Sequence, residues 1–155
     1  MHKVLLVIIA IVLSGCGTKN GFSYVQPEVE NNAVVYIYRP EAPNPGKQPL
    51  GWMYPEVFID GKSLGVLKLE KYIVVELEPG RHEILFTGLT DKANWDERDL
   101  KRKFSVHHTE QKYLKFQVRY DPKTIGLLEK TKYQQFLTPM KHDDAIYEIN
   151  KLNPQ

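Results

Sequence analysis

Tyr54–Phe86, YPEVFIDGKSLGVLKLEKYIVVELEPGRHEILF, alternates short β-forming runs with turn signals. Tyr54–Ile59 reads as a strand, and Asp60-Gly61 supplies the left-handed backbone that a tight hairpin needs. Leu64–Leu69 pairs back, and Glu70-Lys71 turns the chain again. Tyr72–Glu78 then has period 2, with Ile73, Val75 and Leu77 on one face and Tyr72, Val74 and Glu76 on the other. Pro79-Gly80 matches the central pair of a type II turn, with proline presetting the first dihedral and glycine taking the positive one. His82–Phe86 is the next strand. Short strands at this spacing indicate a mainly β fold, a small antiparallel β-sandwich.

Upstream, Ala33–Arg39 (AVVYIYR) is β-branched and aromatic on both parities, the pattern of a central strand covered on both faces. It ends at Pro40, which lacks an amide donor, and a proline-rich loop follows over 41–52. Downstream, residues 88–99 form a polar loop, Arg102–His107 is a strand, and Tyr113–Tyr120 alternates until Asp121-Pro122 breaks it. Thr124–Lys130 reads as a last strand, weakened by Gly126. The period then changes. Thr138-Pro139 looks like an N-cap followed by proline at the first helical position, with Asp143 and Asp144 in the early part that the helix dipole favours. Ala145, Ile149 and Leu152 fall at i, i+4 and i+7, so one amphipathic helix is expected over about 139–151. The resulting organisation is 1–15 signal peptide, 16–32 tether, 33–137 sandwich, and 138–155 helix and tail.

Met1–Gly17, MHKVLLVIIAIVLSGCG, has a basic start and ten apolar residues, Val4–Leu13, too few for a spanning helix of about 20. Leu13-Ser14-Gly15-Cys16 resembles the lipobox of bacterial lipoproteins. That resemblance implies cleavage before Cys16, diacylglycerol on its thiol and an acyl chain on the new amine. Two or three chains, at about 0.8 kcal/mol per buried methylene, make a durable anchor. Gly17, where an aspartate would favour inner-membrane retention, points by the same resemblance to the outer membrane and its periplasmic face. Processing leaves 140 of the 155 residues, enough for one domain with a real core. Cys16 is the only cysteine, so the lipidated protein has no disulfide and no thiol nucleophile. The net charge falls from +2 to +1 with the loss of Lys3, too weak a field to suggest nucleic acid. Residues 17–32, without sustained periodicity, read as a tether; Phe22, Tyr24 and Val25 offer the alternative of an added edge strand.

Val57-Phe58-Ile59-Asp60-Gly61, then Leu64-Gly65, Leu67, Tyr72 and Leu77, then Pro79-Gly80-Arg81-His82, resembles the PEGA-type β-sandwich pattern. Preceded by Val35-Tyr36-Ile37-Tyr38-Arg39-Pro40 and a lipobox, residues 33–120 are similar to a family of small bacterial lipoproteins whose shared domain has no known function. The resemblance implies a transthyretin-like or immunoglobulin-like sandwich. It brings no catalytic residue, because the matched positions are turn and core residues.

Catalytic chemistry finds little purchase. Gly61-Lys62-Ser63 imitates the end of a phosphate loop, but the first glycine of that pattern would have to stand where Glu56 is. No serine sits in a G-x-S-x-G elbow. His107 and His108 are adjacent, and neighbours in a strand point to opposite faces, so they are poorly placed to share a metal. His82 reads as structural, and His142-Asp143-Asp144 as dipole compensation. Lys101-Arg102-Lys103 reads as a solvated edge that discourages strand pairing. No catalytic residue, metal site or cofactor beyond the covalent lipid on Cys16 is expected.

If each connection reverses the chain, the 40–52 and 88–99 loops emerge at one end, away from the anchor. Trp52, Tyr54 and Trp95 then become candidate binding residues, since loops on a rigid scaffold carry recognition and aromatics anchor interfaces. The competing reading makes each tryptophan a lid over a sandwich end. The function expected is that of a non-enzymatic envelope binding or structural module, bound to the membrane through its lipid and to an envelope protein or cell-wall component. An envelope hydrolase or metal-dependent enzyme, and an accessory factor for secretion or cell-wall assembly, are the alternatives.

Overall fold

All seven residues of β1 (Ala33–Arg39) are buried, as a strand apolar on both parities requires. The computed structural model describes residues 22–40, 50–121, 123 and 133–155. The expected strand over 124–130 and the leader with Cys16 lie outside them. β2 (Glu56–Ile59), β3 (Lys62–Val66), β4 (Lys71–Leu77), β5 (Gly80–Thr87), β6 (Leu100–Val106), β7 (Gln111–Tyr120), β8 (Tyr133–Met140), α1 (His142–Ile149) and the two-residue β9 (Asn153–Pro154) follow. They form two sheets, ordered β8-β7-β1-β4-β9 and β3-β2-β5-β6, with the helix on the first. The fold is mainly β, a small sandwich with one C-terminal helix, as expected.

The pairing is not wholly antiparallel. β1 runs antiparallel to β4 but parallel to β7, with Val34 opposite Gln111 and Tyr38 opposite Lys115. β4 therefore joins β1, while its sequence neighbours β3 and β5 belong to the facing sheet. Pro79-Gly80 accordingly does not close a hairpin of type II geometry. It carries the chain from one sheet to the other, with Gly80 at φ 150°, a conformation reserved for glycine.

Val35 and Ile37 of β1, Val57 of β2, Ile84 and Phe86 of β5, and Leu114 and Phe116 of β7 meet between the sheets, where Phe86 stacks on Phe116 at 4.5 Å. Burying each such side chain contributes roughly 1.5–3 kcal/mol. Ile73, Val75 and Leu77 point into this core and Tyr72 and Val74 away from it, as the alternation of β4 predicts.

The outward residues of the first sheet, Val34, Tyr36, Tyr38 and Tyr113, are buried under α1 and residues 22–32. Ala145, Ile149 and Leu152 form the apolar side of the helical segment. The Tyr38 hydroxyl donates to Glu148 Oε2 at 2.7 Å, and Lys115 pairs with the same carboxylate. The helix begins later than expected. Thr138 and Pro139 extend β8, which pairs with β7 from Tyr113↔Met140 to Tyr120↔Tyr133. Lys141 stands at the N-cap without a side-chain hydrogen bond. The local Thr-Pro signal is overridden by an eight-residue ladder, and proline is tolerated because β8 is an edge strand.

Asp60 (φ 50°) and Gly61 (φ 79°) form the expected tight turn between β2 and β3. His82 holds it from β5: its Nδ1 lies 2.6 Å from Asp60 Oδ2 and its Nε2 lies 2.8 Å from the Glu78 carbonyl oxygen. Burial works to lower the His82 pKa, but the Asp60 carboxylate and the Glu78 carbonyl outweigh it, and the net shift is upward. Asp60 is held low by the His82 hydrogen bond and by the Glu83 amide. The raised histidine stabilises the fold below its ordinary pKa and loses that contribution as pH rises through the folded value. The depressed aspartate stabilises above its ordinary pKa and loses it as pH falls. The melting temperature of His82→Gln should therefore fall furthest below wild type between about pH 4 and 6.5, the gap closing on either side. A gap constant from pH 4 to 8 would show that charge plays no part in this clamp.

Candidate functional site

β1 ends in a fully buried arginine. Arg39 Nη1 donates to the Met53 carbonyl at 2.6 Å and Nη2 to the Leu50 carbonyl at 2.7 Å. Its guanidinium carbon lies 5.6 Å from the centre of the Trp95 ring and 5.8 Å from that of Phe116. Burial pulls its pKa down to about 10, so it remains charged at neutral pH. One fork thus grips both carbonyls of the turn Leu50–Met53, closed by Met53 N donating to Leu50 O at 3.1 Å, with Leu50 at φ 58°.

Trp52 sits on that turn, 74% exposed. Its carbonyl accepts from Asn94 Nδ2 at 3.2 Å. The next strand of the loop is stitched to the 88–99 loop by Tyr54 N to Asn94 O at 2.7 Å and Asn94 N to Tyr54 O at 3.0 Å. The two loops are therefore joined at one end of the sandwich, at the end of β1 away from Ala33. Tyr54 is half-buried, its ring 5.5 Å from Lys68 Nζ. Trp95, 6% exposed, packs edge-on to Phe116 at 5.8 Å and closes the core as a lid. Of the three aromatic candidates, Trp52 is the one presented to solvent.

Gly88 makes this closure possible. A Cβ built there would lie 1.8 Å from the Trp95 carbonyl oxygen, so only hydrogen fits. The sequence marks Arg39 as a strand-end residue and gives Gly88 no role. A cation closing an otherwise apolar strand, just before the loop it grips, is the signal available for Arg39; nothing local marks Gly88.

The histidines stand apart. His82 clamps the Asp60 turn, His107 and His108 follow the end of β6, and His142 lies between the hydroxyls of Tyr24 (3.0 Å) and Tyr113 (3.2 Å). Among the described residues no group of three or more His, Cys, Asp or Glu is placed to hold a metal ion. Lys101, Arg102 and Lys103 lie on the edge strand β6, where Lys101 pairs with Glu83 at 2.9 Å. Ser63 donates to Glu56 beside the hairpin, a structural contact. An open cleft of about 410 Å³ separates the edges of β6 and β8, lined in part by Arg98, Arg102, Tyr133 and Gln135.

Residues 29–127 match the family model of a protein of unknown function, DUF2846. The chain belongs to the DUF2846 family. The matched region runs from just before β1 to just past β7, so it includes the Arg39 fork, Trp52, Gly88 and Trp95 but excludes α1. The DUF2846 region thus contains the whole site, and the helix that covers its outer sheet face lies beyond the match. No curated protein and no solved structure matches the sequence.

Proposed function

We propose that this DUF2846 protein is a non-enzymatic binding module of the cell envelope, held at the periplasmic face of the outer membrane by lipid on Cys16 and recognising an envelope protein or cell-wall component through Trp52. The observation that carries this reading is the contrast between the two tryptophans. Trp95 is spent on the core, whereas Trp52 is 74% exposed on a turn fixed by Arg39 and Asn94. An aromatic carried on a backbone turn that does not have to be ordered on binding is an effective interface anchor. The signal-like leader and the Leu13-Ser14-Gly15-Cys16 stretch support the location, and the PEGA-like spacing of turn and core residues supports a scaffold that displays loops. The lipid raises the local concentration of the domain toward a partner in the same envelope. In this reading the covalent lipid is the one non-protein group.

Crosslinking in intact cells, with mass spectrometry of the captured species, tests it. Trp52→Ala should lose capture while its melting temperature stays within about 1–2 °C of wild type, because surface substitutions generally change stability by less than about 0.5 kcal/mol. Cys16→Ala should lose it through loss of the anchor. Equal capture of the same species by wild type and Trp52→Ala would overturn Trp52 as the recognition element.

A further inference from the structure

Residues 22–32, between the proposed anchor and β1, form a strap laid back along the outer face of the first sheet. Its first hold is Phe22, whose ring meets Tyr36 at 5.1 Å and Tyr72 at 6.2 Å and whose amide donates to Asn150 Oδ1 at 3.1 Å. Next, Tyr24 stacks on His142, and the Val25 amide donates to the Tyr36 hydroxyl at 3.0 Å. The last hold is Glu76 of β4, whose carboxylate accepts from the amides of Glu28 (2.6 Å) and Val29 (2.9 Å) and from Asn32 Nδ2 (2.8 Å). Asn31, at φ 74°, then turns the chain into β1. The described part of the stretch expected to be a free tether is therefore docked, and it forms no strand.

The manner of docking matters. The strap belongs to neither sheet ladder, and Ser23–Gln26 and Glu28–Asn31 remain exposed. It is held by side chains at three points and by one backbone bond outside both ladders, Thr109 N donating to the Asn31 carbonyl at 3.2 Å, so it can leave without breaking a strand pairing, the condition for opening well below the free energy of global unfolding.

We propose that residues 22–32 are a releasable latch that sets how far the domain stands from its membrane attachment. Docked, the described chain is held from Phe22 onward. Released, the eleven residues 22–32 add up to about 36–40 Å of reach and uncover the aromatic face around Tyr36 and Tyr72. Tension from the membrane enters at Phe22 and reaches the Glu76 clamp last. The leash role rests on Cys16 as the lipidated residue; the latch itself does not.

Amide hydrogen exchange on the full protein, extracted from membranes in mild detergent, tests the latch. The amides of Val25, Glu28 and Val29 should exchange faster than those of β1, and Phe22→Ala and Glu76→Ala should each speed them at least about tenfold while leaving β1 and β4 unchanged. Strap exchange in step with β1, or identical in wild type and both variants, would overturn the proposal. For reach, a donor dye on Ser105→Cys, an exposed position on β6, transfers energy to acceptor lipids in vesicles. Both latch variants should lower the transfer, and unchanged transfer despite fast strap exchange would overturn the leash role. Palmitate labelling of wild type but not of Cys16→Ala reads the anchor separately, so its failure is distinguishable from failure of the latch.

Discussion

An Arg39→Ala chain is expected to lose about 3–5 kcal/mol of stability and, for a domain of this size, roughly 10–20 °C in melting temperature. Two losses combine. The side chain fills fully buried space between Trp95 and Phe116, and its removal leaves a cavity that those rings can close only in part. The carbonyls of Leu50 and Met53 also lose their charged donor. Arg39→Met separates the two. It keeps much of the volume and removes the cost of a buried charge, so it should recover a large part of the melting temperature. It cannot grip the carbonyls, so the Leu50–Met53 turn should loosen and be cut faster in limited proteolysis. Wild-type proteolysis in Arg39→Met would show that packing, not the guanidinium fork, holds the turn that carries Trp52.

Gly88→Ala should destabilise by about 2–4 kcal/mol, although it adds only one methyl group. The added carbon would sit 1.8 Å from the Trp95 carbonyl oxygen and 2.8 Å from its carbon. Both are backbone atoms, so no rotamer change relieves the clash and the 88–99 loop must move. Trp95 should then leave the core. In a Trp52→Phe background Trp95 is the only tryptophan, and its emission should shift to the red as the indole meets water. An unchanged spectrum with an unchanged melting temperature would refute the close approach. Loss of the lid should also displace Asn94 and with it the support under Trp52.

The two sites that matter most here differ in how far the chain announces them. Trp52 and Trp95 were both visible as tryptophans in loops expected at one end, and the Tyr54–Asn94 bridge joins those loops. Which of them faces water was not visible, because it depends on the close approach of the Gly88 and Trp95 backbones within one loop and on Phe116 from a separate strand. Arg39 was legible as the end of a strand but not as a fork, since its acceptors are backbone carbonyls, which leave no trace in the residue letters. The strap was hidden for a similar reason: its holds are long-range, from Glu76, Tyr36 and Asn150 to a stretch with no period of its own.

By itself the sequence determined what is local. The period of 2 in β4 and β7, the two-sided burial of β1 and the left-handed pair Asp60-Gly61 are consequences of side-chain alternation and backbone sterics within a few residues. Only the tertiary structure decided the partners. Periodicity tells which face of a strand is apolar but not which strand lies beside it. Hence β4 joining β1, the parallel pairing of β1 with β7, and the capture of Thr138-Pro139 into β8 emerged from the competition among long-range ladders. Trp95 is likewise buried by tertiary contacts, its ring against Phe116 and its backbone carbonyl against Gly88, while Trp52 stays in water.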